Sequence, residues 1–338
     1  MSQPATPGPL ALLDLITGSM VTQAIHVAAK LGVADLLAAG PLTAAEIARR
    51  SDADADATYR VLRLLASHEI FAEGPDGRFT LTPLAQGLRA DAPLSMRGLA
   101  LLLGHPLAWE DWGNLLLAVT SGDPVLPQLR GMGGYEFLMA NPEFAVVFES
   151  GMGSLSQLET EPILAAYDFS GFDTVVDVFG GQGGLLAGIL KAAPGSRGIL
   201  ADQRAEHLGA AAFFGEAGLA DRVSIDTAGL FEKIPSGGDA YLMKHILHEW
   251  PESQAVDILH NARRAIGDGG RLLLMEYVVP EGGQQHLGKL IDLWLMILMG
   301  GKERTTAQYA ELLARTGFRL DRVVGTGSPV SIIEAVPV

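Results

Sequence analysis

The sequence predicts a chain of two parts. An N-terminal helical domain carries a winged-helix hairpin, and a C-terminal α/β domain is built on a doubly wound, mostly parallel sheet that ends in an antiparallel hairpin. Three observations predict this. Residues 10–100 carry apolar residues at helical spacing, interrupted by one hairpin signal. From Asp173 onward, short apolar strands alternate with helical segments. Two final strand-like runs lie too close together for a crossover helix, so they pair antiparallel.

The elements follow in order. Residues 10–37 read as an apolar helix pair with little polar face, which suits burial against a second subunit. Thr43 with Glu46 three residues on is a capping box. Asp56 or Thr58 is expected to cap the next helix, whose apolar face includes Tyr59, Leu62, Leu65 and Ala66. The turn Pro75-Asp76-Gly77 joins strands around Phe71 and Phe79. Residues 101–165 are helical and hold His105, Trp109, Trp112, Tyr135, Phe144, Phe148 and Met152, core residues for the most part, some of them suited to a flat apolar ligand. Strands are expected at 174–178, 198–201, 223–225, 240–244 and 272–277, with helices at 185–193, 206–217, 251–266 and 306–316 and last strands at 319–324 and 331–336. The domain boundary falls at residue 165, giving domains 1–165 and 166–338.

Composition narrows the functions. The chain has 338 residues, enough for two domains and a large core. It has no cysteine, which removes disulfides, Cys–metal sites and thiol nucleophiles and fits a cytoplasmic location. The formal net charge of −15 repels polyanions. A winged helix raises the question of DNA binding, but residues 41–90 hold six Arg and no Lys against seven acidic residues, not a basic face. The module therefore reads as a dimerisation and substrate-lid domain, with no nucleic-acid partner. No apolar run is long enough for a membrane helix, and the first residues lack the basic stretch of a signal peptide.

Two stretches carry chemistry. In "DVFGGQGG", residues 177–184, a strand runs into a glycine-rich turn and a helix leaves it. Gly180, Gly181, Gly183 and Gly184 let the backbone approach a nucleotide-like cofactor at a helix N-terminus. Asp202 lies 19 residues beyond Gly183 at the end of the next strand, which suits ribose hydroxyls. In "KHILHEW", His248 follows the fourth strand of the sheet and His245 stands three residues before it. The path from strand to loop is expected to keep these two rings from converging on a metal ion, so no metal is assigned.

The chain resembles the S-adenosylmethionine-dependent small-molecule O-methyltransferases of plant phenolic and actinomycete polyketide type. The resemblance runs over nearly the whole chain, through "MANPEFAVVFESGM", "YDFSGFDTVVDV", "DAYLMKHILHEWPESQAVDILHNARRAI" and "DLWLMILMGGKERT". It implies a Rossmann-like class I methyltransferase domain behind the dimerisation domain, a homodimer, and S-adenosylmethionine as cofactor. It further implies His248 as general base, with Glu276 and Glu303 as its acidic partners. On the cofactor side it implies Asp177, Gly180, Gly181, Gly183, Asp202, Leu230, Phe231 and Lys244. The substrate implied is a flat, hydroxylated natural product between the domains, with Trp109, Phe148, Met152, Asp292 and Met296 as lining residues.

Three departures from the family pattern cluster on the cofactor side. Phe179 replaces the first loop glycine; Ala228-Gly229-Leu230-Phe231 stands where the family has Gly-Asp-Phe-Phe, whose Asp contacts adenine; and Gln203-Arg204 replaces a Leu-Pro. Asp226 is close to the lost carboxylate but out of register. Two enzymatic readings stay open: methyl transfer with an adapted loop, or a cofactor-independent cyclase, isomerase or pericyclase using His248, Glu276 and Glu303. A non-catalytic binding role is the third.

Overall fold

The computed structural model describes residues 8–338, so the first seven residues of the tail read above for a signal peptide lie outside the described residues. Two compact units are present: the described part of Met1–Gly113 with Phe137–Gln157, and Asn114–Glu136 with Leu158–Val338.

The first unit opens with the helix Gly8–Lys30 and the short helix Val33–Leu37. Ala24, Ala28 and Ala29 of the long helix are buried, whereas Leu10, Leu12, Leu13, Leu15, Ile16 and Met20 are exposed. This helix is long and apolar enough to span a membrane by length and composition alone, which corrects the expectation that no run qualifies. Asp14 and a few neutral polar residues interrupt its apolar run, but they are too few to bring its mean hydropathy down to that of an ordinary surface helix. The winged-helix pattern forms with one extra strand: β1 (Leu42–Thr43), β2 (Phe71–Glu73) and β3 (Arg78–Leu81) pair in the order β1-β3-β2. Thr43 and Glu46 make both bonds of the capping box. The next helix, Ala55–Ser67, is capped by Asp54, not by Asp56 or Thr58. Asp54 alone has the extended backbone that lets its carboxylate reach the Ala57 N–H, while Thr58 turns its hydroxyl back to the Asp54 carbonyl.

The second unit is built on a seven-stranded sheet. Its strands are β4 (Thr174–Val178), β5 (Arg197–Ala201), β6 (Val223–Asp226), β7 (Ala240–Lys244), β8 (Arg271–Glu276), β9 (Phe318–Gly325) and β10 (Ser331–Pro337), in the order β6-β5-β4-β7-β8-β10-β9. β4 to β8 run parallel, and β10 lies antiparallel between β8 and β9, as its short connection requires. Val175, Val176, Leu242, Leu273 and Met275 are fully buried, because helices cover both faces of the sheet. The strand order reverses at β4, with β5 on one side and β7 on the other. An open α/β sheet leaves a crevice at the carboxyl ends of its strands at that point. The helix after β5 starts later than expected, at Ala210, because residues 203–209 are spent in turns.

Candidate active site

On the β4 side of the crevice, the chain leaves the strand through Phe179, whose backbone is left-handed at φ 60°. A non-glycine side chain in that region costs on the order of 1–3 kcal/mol. The cost is met by anchoring: the Phe179 N–H donates to the Ala201 carbonyl at 2.6 Å, and its ring packs against the core around Val178, Ala201 and Leu230. Gly181 and Gly183 follow with φ 63° and 91°. A Cβ on Gly183 would stand 2.3 Å from the Phe214 ring, and one on Gly180 would stand 2.3 Å from Asp177 Oδ2, so these two glycines serve internal packing. At Gly181 an added Cβ meets only Leu208, at 3.9 Å, so this is where the loop is open.

Asp202 closes β5 and is fully buried. Its Oδ2 accepts from the Gly181 N–H at 2.9 Å and its Oδ1 from the Arg204 N–H at 2.8 Å. Asp177 is also buried, which pushes its carboxyl up to about 7, against the pull of Lys244. Its Oδ2 has no hydrogen-bond partner among the described residues. An orphaned buried carboxylate oxygen, an open left-handed glycine and a second carboxylate at the end of β5 together fit a nucleoside-type cofactor carrying polar groups. Of the other residues expected here, Leu230 puts its side chain in the core. Phe231 is partly exposed and sets its ring edge-on to Trp250, with centroids 4.8 Å apart. Lys244 Nζ lies 3.0 Å from Glu159 Oε2.

On the β7 side stands His248, in a short 3₁₀ turn, Leu247–Glu249. Its Nδ1 lies 2.6 Å from Glu303 Oε1 and 3.5 Å from Glu276 Oε2. All three side chains are buried. Burial alone lowers an imidazole's affinity for a proton; here the charges of Glu276 and Glu303 outweigh it and hold His248 up at about 9. Glu276 is placed by its end-of-strand position, where its Oε1 accepts from the Ile246 and Leu247 N–H groups. Glu303 is placed by its loop, whose N–H donates to Asp292 Oδ1 at 2.8 Å. Asp292, expected to line the substrate site, is thus already bound to the Glu303 backbone. Met296 lies on the same helix, Leu287–Leu298, half-buried. Trp109, Phe148 and Met152 belong to the first unit, where Trp109 Nε1 donates to the Leu103 carbonyl.

His245 and His248 do converge, contrary to expectation. His245 is left-handed at φ 56°, which turns its ring back, and the two rings stack with centroids 5.0 Å apart. Ligating atoms of His245, His248 and Glu276 lie within 4.8 Å of one another. The His245 ring has its own carboxylate: Nε2 lies 2.8 Å from Glu159 Oε2. Glu159 also accepts from the Tyr277 hydroxyl at 2.6 Å. Burial pushes Glu159 up, but His245, Lys244 and Tyr277 outweigh it and hold it near 2. Burial pulls His245 down to about 4. The His245 ring thus sits against the Glu159 carboxylate, with burial disfavouring a charge on the ring. Sequence reasoning missed Glu159, and it named Tyr135 only as a core or ligand-facing ring, not as the donor to Glu249 that it is. Both partners lie far away along the chain, and no local pattern marks them.

A glycine loop and buried carboxylate on one lip of the crevice, and a carboxylate-backed imidazole on the other, stand on a class I Rossmann-like methyltransferase fold. The chain belongs to the O-methyltransferase family. The family's O-methyltransferase domain matches residues 112–319, and its dimerisation domain matches residues 13–91. The chain is 39% identical over 334 residues to the phenazine O-methyltransferase PhzM of Lysobacter antibioticus, covering 99% of this chain and 98% of that one. It is 35% identical to the 8-amino-8-demethylriboflavin N,N-dimethyltransferase of Streptomyces davaonensis, covering 92% and 90%. The crystal structure of the O-methyltransferase NcsB1 from neocarzinostatin biosynthesis, in complex with S-adenosylmethionine and 2-hydroxy-5-methyl naphthoic acid, superposes with a TM-score of 0.80. It has 33% identity and covers 99% of this chain and 100% of that one.

Proposed function

We propose that this chain is a cytoplasmic homodimer that transfers a methyl group from S-adenosylmethionine to a hydroxyl of an aromatic or polyketide-like small molecule, with His248 as general base. One observation carries the reading: His248 has Nδ1 committed to Glu303, so the neutral ring presents its lone pair at Nε2. Asp177, Gly181 and Asp202 would hold the cofactor beside it, with Lys244 neighbouring Asp177. When bound, S-adenosylmethionine supplies an electrophilic sulfonium methyl. The chain's own residues do the rest. A phenol has a pKa of about 10 and is a poor nucleophile at neutral pH. His248 Nε2 takes its proton as attack begins, and Glu303 and Glu276 stabilise the imidazolium that forms. Positioning of acceptor against methyl in line supplies most of the remaining rate.

The N,N-dimethylating relative favours a second acceptor, an aromatic amine, in the same pocket. Such an amine is neutral at pH 7 and needs its proton removed only after attack, so loss of His248 would harm it less than a phenol.

Calorimetry with S-adenosylmethionine, followed by labelled methyl transfer to a panel of phenols and aromatic amines, tests the reading. We expect micromolar binding and transfer to phenols, with His248→Ala lowering turnover by roughly 10²–10⁴ while leaving cofactor binding intact. No binding at millimolar cofactor would sink it and turn the same three residues over to the cofactor-independent cyclase, isomerase or pericyclase reading.

A further inference from the structure

Phe179, Gln203-Arg204 and Gly229 look like independent departures in the sequence, but the fold brings them to one edge of the crevice. The Arg204 guanidinium lies over the Phe179 ring, 5.0 Å from its centroid. Its Nε stands 3.6 Å from Asp202 Oδ1, and its backbone N–H already holds that same oxygen. The half-buried Glu249 and its partner Tyr135 also feel the Arg204 charge. Gly229 stands near the neighbouring Gln203: a Cβ there would meet Gln203 Oε1 at 3.4 Å, an ordinary contact.

We propose that Phe179 and Arg204 form a latch over Asp202 and thereby set the cofactor affinity of this chain. The latch rests on the reading of this crevice as a cofactor site. Its physical logic is competition. Asp202 is fully buried, with one backbone N–H on each oxygen, so a cofactor's hydroxyls reach its remaining acceptor sites where the Arg204 guanidinium gives way. Arg204 gives way only by leaving an aromatic face that holds it by cation–π attraction. Two groups draw it back: the Asp202 carboxylate and the Phe179 ring. Phe179 is the fixed half of the device, tied by its N–H to the end of β5 and by its ring to the core. Arg204 is the solvent-facing half, with 39% of its side chain exposed.

The test is a double-mutant cycle on cofactor binding. S-adenosylhomocysteine and S-adenosylmethionine are titrated calorimetrically into the full chain and into Arg204→Leu, Phe179→Gly and the double variant, each first checked for cooperative thermal unfolding. Each single substitution is expected to tighten binding roughly 3- to 10-fold, the range a cation–π contact spans. The double variant is expected to bind no more than about twofold tighter than the better single, because either change alone opens the latch. Equal binding by all four proteins overturns the latch while leaving the cofactor reading intact. Weaker binding in Arg204→Leu also overturns it, making Arg204 a cofactor ligand. Absence of binding in all four overturns the latch and the cofactor reading together.

Discussion

His248 works against two buried carboxylates, and the consequence is a pH dependence. Burial pushes the Glu276 carboxyl up to about 7 and raises Glu303 as well, while both hold His248 up at about 9. The three groups titrate as a unit. A general base acts in its neutral form, so turnover rises with pH as the cluster releases its proton, and the acidic limb of kcat/KM lies above the 6.5 of an ordinary histidine. Glu303→Gln removes one anion, and the limb is expected to move to lower pH as burial regains weight. A profile for Glu303→Gln that overlays the wild type would remove Glu303 from the proton path. At this scale the sequence was informative where a motif frames the residue: His248, Glu276 and Glu303 come together as the resemblance implies. It was silent on Glu159 and on the bond from Tyr135 to Glu249, because a hydrogen bond between residues 86 or 114 positions apart leaves no local trace.

Among the elements, the loop that delivers Glu303 is pinned from both ends. Arg304 is buried and donates to the Leu247 carbonyl beside His248, and Thr305 starts the next helix with a capping box to Gln308. Thr305→Ala therefore loosens the segment carrying a catalytic candidate. We expect a loss of about 0.5–2 kcal/mol in denaturant unfolding, with a lower kcat than the stability loss alone explains. Unchanged unfolding would mean that packing around Arg304 holds the loop without the cap. The glycine loop makes the opposite point. Gly183→Ala places a Cβ on the Phe214 ring at φ 91°, and should destabilise by on the order of 1–3 kcal/mol through strain and overpacking. A thermal midpoint equal to the wild type would show that the ring moves aside freely.

For the molecule as a whole, the apolar face of Gly8–Lys30 is the main exposed feature. Leu15 is 79% exposed and Ile16 63%, within the stretch that matches the dimerisation domain. Covering such a face against a second copy removes it from water, each Leu or Ile contributing about 1.5–3 kcal/mol when fully buried. The protein is expected to sediment as a dimer of twice its 35.7 kDa chain, and Leu15→Asp with Ile16→Asp to yield monomer. A wild-type monomer that binds lipid vesicles would instead assign the helix to a membrane surface.

Strand and helix periods, glycine turns and cap residues are local, and local forces choose them. The alternation after Asp173, the terminal hairpin and the capping box of Thr43 and Glu46 were therefore legible in the chain, nearly to the residue for β4 and β7. Three things were settled by folding alone. One is the burial of Asp202 under Arg204. Another is the stacking of His245 on His248 through a left-handed turn. The last is the pairing of three separate departures at one edge of the crevice. Each depends on where the fold turns the backbone and packs its side chains, even for neighbours such as Asp202 and Arg204 or His245 and His248. That placement is set by the backbone turns at the strand ends, by which strands neighbour one another in the sheet and by how tightly side chains fill the space between them, and residue spacing alone does not encode it.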